Sequence, residues 1–357
     1  MDIDHLLQFA VKHGISDVHV RVGRPPYFRK DGQLVTRKNP VEITEAQMAA
    51  WFKRMTTERL QEEFGSLSEV DFAYNSPGHG RFRVNAYRQQ NVTAMVLRHI
   101  PTELPTLEHL GLPAVIADIA MAPRGIILVT GATGSGKSTT LAAMVQTVNA
   151  QRACHVLTIE DPVEFVFPNA KAMISQREIG ADTVCFPSAM RAALRQDPDV
   201  ILIGELRDLE TVETALHAAE TGHLVMTTLH TVDAMETVGR LISLFPPHQH
   251  EQVRYQLSTI LRAVISQRLV RTIKGGRIAA CEILVHTEFI RELIADASRT
   301  HELPMAIAQG KDVYGMQTFD QALADLVKRH VISKPEALLY ATNPSDLKLR
   351  FEGIAGN

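Results

Sequence analysis

The chain has 357 residues, more than a single hydrophobic core usually serves, so two domains are expected. It is 45% hydrophobic and 22% charged, a composition typical of globular proteins. The formal net charge of -3 argues against a protein whose main affinity comes from neutralising nucleic-acid phosphates. Cys154, Cys185 and Cys281 are too far apart to suggest a disulfide framework or a zinc site, which favours a reducing, cytoplasmic compartment.

The first hundred residues have the pattern of a small α+β domain. Apolar residues at helical spacing over 3–11 predict an amphipathic helix, and acidic residues stand where a signal peptide needs basic ones. An extended stretch at 17–22 is followed by two helical stretches over 44–64. Three alternating segments between 70 and 100 then predict an antiparallel meander. No stretch approaches the roughly 20 apolar residues of a membrane span, so no direct insertion into a membrane is expected.

A stretch with three prolines, 101–113, predicts a linker between a domain at 1–100 and a domain at 114–357. In the second domain, continuous apolar strands alternate with helices, which indicates a parallel sheet covered on both faces. The predicted strands are 125–131, 155–161, 199–205 and 223–230. From about residue 234 the chain is predicted to be mostly helical, with a strand pair near 264–285.

The segment "GATGSGKST" follows a predicted strand and opens a predicted helix, which is the context of a phosphate loop. Its glycines let backbone N–H groups approach phosphate oxygens, its lysine meets the β/γ charge, and the serine after the lysine offers a hydroxyl to Mg²⁺. The segment therefore predicts an ATP or GTP site. The residues predicted to bind nucleotide are Gly131, Ala132, Thr133, Gly134, Ser135, Gly136, Lys137, Ser138 and Thr139.

An acidic segment, "TIEDPVEF" at 158–165, follows the next predicted strand. The carboxyl ends of parallel strands share one edge of the sheet, so Glu160, Asp161 and Glu164 are expected to face the γ-phosphate. The alternative is an ordinary helix start with a capping aspartate.

The segment "ILIGELRD" at 201–208 ends a buried strand in a glutamate. Glu205 stands where a metal-supporting acid is expected, and the absence of a side chain at Gly204 is expected to relieve crowding. The alternative is that Glu205 only pairs with Arg207. If Glu205 positions a hydrated Mg²⁺, a carboxylate of the acidic segment is free to orient the attacking water.

Two histidines, His223 and His230, bracket the last predicted strand in "TGHLVMTTLHT". A lone histidine at a strand end is more often a structural hydrogen-bond donor. Two of them beside a phosphate loop predict contact with phosphate, with metal or with both.

Three arginines are predicted to cluster in the first domain. Arg81 and Arg83 alternate on one face of "RFRVN", and Arg98 lies on the neighbouring predicted strand. Three close guanidinium groups repel one another unless they share an anion, and the nucleotide offers one. The alternative is that each arginine is solvated surface.

Taken together, these motifs resemble the secretion ATPases, most closely the PilT/PilU group of type IV pilus retraction motors. The resemblance covers nearly the whole chain. It is carried by "SDVHV", "RFRVNAY", the phosphate loop, "TIEDPVEF", "ILIGELRD", "TGHLVMTTLHT", "LRAVISQRL" and "GMQTFDQAL". It implies an α/β protein with a RecA-like P-loop ATPase core preceded by a small α+β PAS-like domain. It also implies a cytoplasmic homohexamer at an inner-membrane platform protein of the PilC type, powered by ATP and Mg²⁺.

The resemblance also implies roles for individual residues. Glu205 takes the metal-supporting position with Ser138, Glu164 is the general base, and Arg83 and Arg98 lie near the γ-phosphate when the domains close. The resemblance therefore predicts pilus retraction powered by ATP hydrolysis.

Two departures from the family pattern matter. Extension motors of the wider family carry a set of four zinc-binding cysteines, which this chain cannot supply, and this favours retraction. The retraction motif close to "AIRNLIRE" is replaced by "FIRELIAD" at 289–296, which is either a coupling element or simply an amphipathic helix. Two further alternatives are a PilU-like accessory motor that needs a second retraction ATPase, and a nucleotide-gated docking subunit with little turnover. A nucleic-acid translocase is disfavoured, because no basic, aromatic strand-binding stretch is present.

Overall fold

The computed structural model describes residues 2–30, 32–37, 41–100 and 104–353. The chain forms two compact units. The smaller unit comprises Met1–Glu103 and Glu164–Val166, and the larger unit comprises Leu104–Val163 and Phe167–Asn357. The first part of the predicted linker, 101–103, lies outside the described residues, so the linker stays a prediction.

The smaller unit is an antiparallel sheet with three helices. Its elements are α1 (Ile3–Lys12), β1 (Asp17–Arg21), β2 (Tyr27–Lys30), β3 (Gln33–Thr36), α2 (Glu45–Met55), α3 (Glu58–Leu67), β4 (Glu69–Ser76), β5 (Gly80–Gln89) and β6 (Val92–Ile100). The strand order is β3-β2-β1-β6-β5-β4, and β4, β5 and β6 form the predicted meander. The α+β character predicted for this part of the chain is confirmed.

Helix α1 shows how the apolar spacing of the sequence becomes a core. Ile3, Leu6, Leu7 and Ala10 are fully buried in the core of this unit, whereas Val11 is 36% exposed. Residues three and four apart share one face of a helix, so a single apolar stripe covers the sheet. The carboxylate of Asp4 also ties α1 to β4, because its Oδ1 accepts hydrogen bonds from Tyr74 and Ser76.

The larger unit begins with strands and helices in alternation. These elements are α4 (Val115–Ala120), β7 (Gly125–Thr130), α5 (Lys137–Gln151), β8 (His155–Glu160), β9 (Met173–Glu178), α6 (Phe186–Ala193), β10 (Val200–Ile203), α7 (Leu209–Glu220) and β11 (Leu224–Leu229). The remainder comprises α8 (Ala234–Ser243), α9 (His250–Ile260), β12 (Leu261–Arg271), β13 (Arg277–Val285), α10 (Glu288–Ala295), α11 (Leu303–Gln309), α12 (Lys311–Tyr314), α13 (Phe319–Lys328), α14 (Lys334–Tyr340) and α15 (Pro344–Phe351).

The larger unit is organised around a seven-stranded sheet with the order β13-β12-β7-β11-β10-β8-β9. Every neighbouring pair is parallel except the β12–β13 hairpin. All residues of β7, β10 and β11 are buried, as expected for strands covered on both faces. The predicted α/β class is therefore confirmed. The sequence pattern missed β9, since this edge strand is mostly half-buried and lacks a continuous apolar run.

Four neighbouring parallel strands bring their carboxyl ends to one edge of the sheet. Thr130 of β7 pairs with Leu229 of β11, and Ile203 of β10 pairs with Ile159 of β8. The loops that follow these strands therefore begin side by side. We call this edge the carboxyl edge.

Candidate active site

The phosphate loop joins β7 to α5 at the carboxyl edge, and its backbone requires glycine. The φ angles of Gly131, Gly134 and Gly136 are 136°, 79° and 93°, in the region that disfavours side chains. A Cβ atom at Gly131 would lie 2.5 Å from the carbonyl oxygen of Gln267 and 2.7 Å from Oγ of Ser135. The loop is therefore pressed against β12 in a shape that exposes Ala132, Thr133 and Gly134 at its tip.

Lys137 opens helix α5 with its ammonium group over the loop. Its side chain is mostly buried, and Nζ donates to the carbonyl oxygens of Gly131 and Ala132 at 2.9 and 3.1 Å. Ser138 and Thr139 follow in the first turn of α5. The 15-residue helix therefore presents its positive N-terminal end and one cation at the same point.

Glu205 lies two residues after the end of β10 and contacts two partners. It forms an ion pair with Arg207, and its Oε2 lies 3.5 Å from Nε2 of His230. Glu205 is 15% exposed, while His230 is 55% exposed. The predicted Glu205–Arg207 pair is present, but it is not the only contact of Glu205, since the structure also brings His230 to this carboxylate.

Thr228 fixes the start of the loop that carries Glu205. Its Oγ1 donates to the carbonyl oxygen of Gly204 at 2.7 Å, and its own carbonyl oxygen accepts the N–H of Leu206 at 3.2 Å. A Cβ at Gly204 would stay 3.5 Å or more from its neighbours, which is ordinary contact. The surrounding backbone thus leaves room for a small side chain, and the expectation that Gly204 eases the reach of Glu205 stays a prediction.

The acidic segment starts at the carboxyl edge beside Gly204. Glu160 is 9% exposed and accepts hydrogen bonds from Thr158 Oγ1 at 2.6 Å and from Gln176 Nε2 at 3.3 Å. Asp161 and Glu164, in contrast, are exposed. Glu160 is thus held by neighbouring side chains of the larger unit. Glu164 belongs to the smaller unit, and its role as general base stays a prediction.

His223 is not at the carboxyl edge. It precedes β11, and its neighbour Leu224 pairs with Gly125 at the amino end of β7. The six residues of β11 separate it from His230 by roughly 20 Å along the strand. Its Nδ1 lies 2.9 Å from the carbonyl oxygen of Ala218. The structure therefore does not bring His223 to the phosphate loop of its own chain, and its location fits the structural alternative.

The structure brings Arg83 and Arg98 together as cross-strand neighbours of β5 and β6. Arg81 lies two residues before Arg83 on the same strand. Nε of Arg98 donates to Asp17 at 2.8 Å, and Nε of Arg83 lies 3.9 Å from Asp71. Carboxylates of the same unit therefore already face Arg83 and Arg98, so these two guanidinium groups do not need an outside anion, and their contact with nucleotide stays a prediction. Although Asp17 and Asp71 face them, the side chains of Arg98 and Arg83 remain 68% and 47% exposed.

Sequence reasoning gave no role to Gln267, a polar residue in the mostly buried strand β12. Its Nε2 donates to Thr140 Oγ1 at 2.7 Å in the first turn of α5, and its carbonyl oxygen lies against Gly131. Gln267 therefore joins β12 to the first turn of α5 and lies close to the start of the phosphate loop. A glutamine inside the apolar run "AVISQRLV" is the signal that could have marked it.

The residues present fit a nucleoside triphosphate. A Cβ at Gly131 would clash with Gln267 and Ser135, so the loop keeps its shape only with glycine there, and Oγ of Ser135 is buried without a hydrogen-bond partner among the described residues. No three His, Cys, Asp or Glu side chains gather as a metal-binding group in the described part of the chain. A magnesium ion here would therefore be held by phosphate oxygens and water together with Ser138 and Glu205, as is usual for this ion.

Comparison with known proteins decides the family. Residues 1–282 match the type II/IV secretion system protein family. The chain belongs to this family. Among secretion family relatives, it is 45% identical to the type IV pilus retraction ATPase PilT of Pseudomonas aeruginosa over 346 residues, covering 97% of this chain and 100% of that protein. It is 40% identical to the type IV pilus ATPase PilU of the same organism over 351 residues, covering 98% and 91%.

A solved structure of the same family has the same fold. The crystal structure of the pilus retraction motor PilT with bound ADP aligns with a TM-score of 0.90 at 42% identity. The alignment covers 98% of this chain and 99% of that one. The resemblance inferred from the motifs is therefore confirmed, and so is the expected fold class of a secretion ATPase. No helix within the described ranges is long and apolar enough to cross a membrane.

Proposed function

We propose that the chain is a Mg²⁺-dependent ATPase that powers type IV pilus retraction. The single observation that carries this proposal is the carboxyl edge, where the phosphate loop, Glu205 and His230 follow adjacent strands of one sheet. The similarity to PilT supports the choice of retraction as the work performed.

The proposed roles follow from charge and position. The loop 131–136 and Lys137 bind the phosphates, and Ser138 and Glu205 hold the magnesium ion. When bound, this ion neutralises the charge that develops on the transferred phosphoryl group. Glu164 orients the attacking water and accepts its proton, while His230 keeps the carboxylate of Glu205 in place.

We further propose that hydrolysis drives motion between the domain 1–100 and the domain 114–357, with 101–113 as the linker. The family resemblance supports assembly as a homohexamer and a location in the cytoplasm, at an inner-membrane platform protein of the PilC type. Nucleic acid is not among the proposed partners.

Two alternatives keep specific support. A PilU-like accessory motor, dependent on a second retraction ATPase, is favoured by the 40% identity to PilU. A nucleotide-gated docking subunit is compatible with the phosphate loop alone, because binding needs only the loop and Lys137.

Two measurements separate these functions. The purified protein should hydrolyse Mg-ATP at steady state, and DNA should not stimulate the rate. Twitching motility and pilus length should be restored in a deletion strain that expresses this chain as its single retraction ATPase. ATP binding without turnover would support the docking subunit, and turnover without retraction would support the accessory motor.

A further inference from the structure

A buried carboxylate, Glu282 of β13, lies at the start of helix α8. Glu282 is 7% exposed, and its Oε1 accepts a hydrogen bond from the N–H of Ala234 at 2.9 Å. Ala234 is the first residue of α8 and is fully buried. Because the first N–H groups of a helix have no partner within the helix, Glu282 satisfies a group that would otherwise be buried without a hydrogen bond.

The same helix start already has a cap from its own chain segment. Asp233 accepts the N–H of Glu236 at 2.7 Å. Glu282 is therefore a second carboxylate at one helix terminus. The other charged groups that face Glu282 are Arg268 of β12 and Asp320 of α13. Helix α11 also packs on β13, but it has no charged residue.

Burying the charged carboxylate of Glu282 lowers the stability of the folded state, and a neutral side chain at this position would avoid that loss. Burial, helped by Asp233 and Asp320 and opposed by the hydrogen bond from Ala234 and by Arg268, raises the pKa of Glu282 to about 7. A glutamine would offer the same acceptor oxygen to Ala234 without a charge to desolvate. The carboxylate therefore needs an explanation other than stability.

The position of Ala234 suggests that explanation. Four residues, 230–233, join the end of β11 to Ala234, and the first of them is His230, which contacts Glu205. Thr231 in this loop is itself buried, with Oγ1 2.6 Å from Oγ1 of Thr237. A short loop anchored at its far end has little freedom, so the anchor at Ala234 restricts where His230 can lie.

Glu282 is also linked to the phosphate loop through the sheet. It pairs in register with Ser266 of β12, which pairs with Thr130 of β7, the last residue before the loop. Oγ1 of Thr130 donates to Oγ of Ser266 at 2.9 Å. One row of buried polar side chains thus connects the strand before the phosphate loop with the helix after the His230 loop.

We propose that Glu282 is a positioning residue for ATP hydrolysis: by binding the N–H of Ala234 at the start of α8 it fixes the loop 230–233, which presents His230 to Glu205. The inference rests on the proposed ATPase function. Ionised Glu282 makes a charge-assisted hydrogen bond to the positive end of the helix, and the protonated form makes a weaker one. The loop is therefore held best when Glu282 is ionised.

The test compares Glu282→Gln and Glu282→Ala with the parent. We expect kcat to fall roughly threefold to tenfold in Glu282→Gln and roughly tenfold to 100-fold in Glu282→Ala, as for a small displacement of a catalytic group. The KM for ATP and the Kd of a fluorescent ATP analogue should stay within about twofold of the parental values, because the phosphate loop is unchanged. The rise of kcat with pH near about 7 should be present in the parent and absent in Glu282→Gln.

A matched control removes a helix cap elsewhere. Ser333 caps α14 by accepting the N–H of Glu336, and Ser333→Ala should lower stability without changing kcat or its pH profile. Parental kcat and an unchanged pH profile in Glu282→Gln, with the parent active, would overturn the inference and leave Glu282 as a structural cap. A parent that binds ATP but does not hydrolyse it would instead overturn the proposed function.

Discussion

Nε2 of His230 lies 3.5 Å from Oε2 of Glu205, across the ends of two adjacent parallel strands. This contact predicts that the two residues act as a unit during hydrolysis. We expect Glu205→Gln to lower kcat by at least about 10², and His230→Ala to have a smaller effect that disappears when Glu205 is already replaced. The measurement is a double-mutant cycle on kcat at saturating Mg-ATP.

Arg207 provides the control for this cycle, because it is the other partner of Glu205 and is 67% exposed. Exposed ion pairs contribute little free energy, so loss of the Arg207–Glu205 pair in Arg207→Ala should leave kcat nearly unchanged. Additive effects of Glu205→Gln and His230→Ala would show that the two side chains work independently.

Lys137 and Glu164 are expected to separate binding from turnover. Lys137→Ala removes the charge over the phosphate loop and should abolish ATP binding. Glu164→Gln keeps the loop intact, so it should bind ATP normally and lose about 10² to 10⁴ in rate, the usual effect of removing a positioned base. Binding is measured by titration with a fluorescent nucleotide and turnover by phosphate release.

The outcome for Glu164→Gln also tests the assignment of the base. A parental rate would transfer the role to Glu160, which is buried and accepts hydrogen bonds from Thr158 and Gln176. Thr158→Val would then be informative, because it removes one of the two hydrogen-bond donors to the Glu160 carboxylate.

The sequence predicted the carboxyl edge well, since continuous apolar strands and the phosphate loop are local signals. It placed Glu205 and His230 correctly after their strands. It did not predict that His223 lies away from the carboxyl edge of its own chain, because two histidines around one strand look equivalent in the sequence although a strand puts them at opposite edges. It gave no role to Glu282 or Gln267, whose contacts join strands and helices far apart in the chain.

Arg291 is expected to separate coupling from hydrolysis. It lies on α10, whose Ile290, Leu293 and Ile294 are buried, and it forms an exposed ion pair with Glu288. Arg291→Ala should therefore leave folding and ATPase activity largely unchanged and abolish pilus retraction in cells. Glu288→Gln breaks the same ion pair and should retract normally if the guanidinium group itself is needed.

For Arg291, loss of folding or of ATPase activity would support the alternative that α10 is only an amphipathic packing helix. ATPase rate and thermal unfolding of the purified variants, measured beside twitching zones of the complemented strains, distinguish these outcomes.

The ionisation of Glu282 predicts a specific dependence of stability on pH. Its folded pKa of about 7 lies above the ordinary glutamate value of 4.5, so the folded state binds the proton more tightly than the unfolded state. The free energy of unfolding should therefore fall as pH rises from 4.5 to about 7, by roughly 3 kcal/mol from this group. Glu282→Gln removes that loss, so the substitution should raise the free energy of unfolding more at pH 8 than at pH 5. Urea unfolding at both pH values measures the effect, and an equal effect of the substitution at both would contradict it.

The last prediction concerns the paired arginines of the smaller unit. Arg83 and Arg98 are cross-strand neighbours, and each remains exposed although Asp71 and Asp17 face them. Two guanidinium groups held side by side by carboxylates are already oriented, so an approaching phosphate meets a preformed cationic pair. Arginines that reach the transferred phosphoryl group raise the rate by about 10³ to 10⁵. We expect Arg83→Ala and Arg98→Ala to fold and to bind ATP, but to hydrolyse it at least about 10²-fold more slowly at saturating Mg-ATP. As a control, Arg59→Ala removes an exposed arginine that pairs with Glu63 on α3, and it should keep the parental rate. Parental turnover in both strand variants would show that Arg83 and Arg98 serve only to pair with Asp71 and Asp17. Slow turnover together with weakened folding would instead show that Arg98 stabilises the sheet through its hydrogen bond to Asp17.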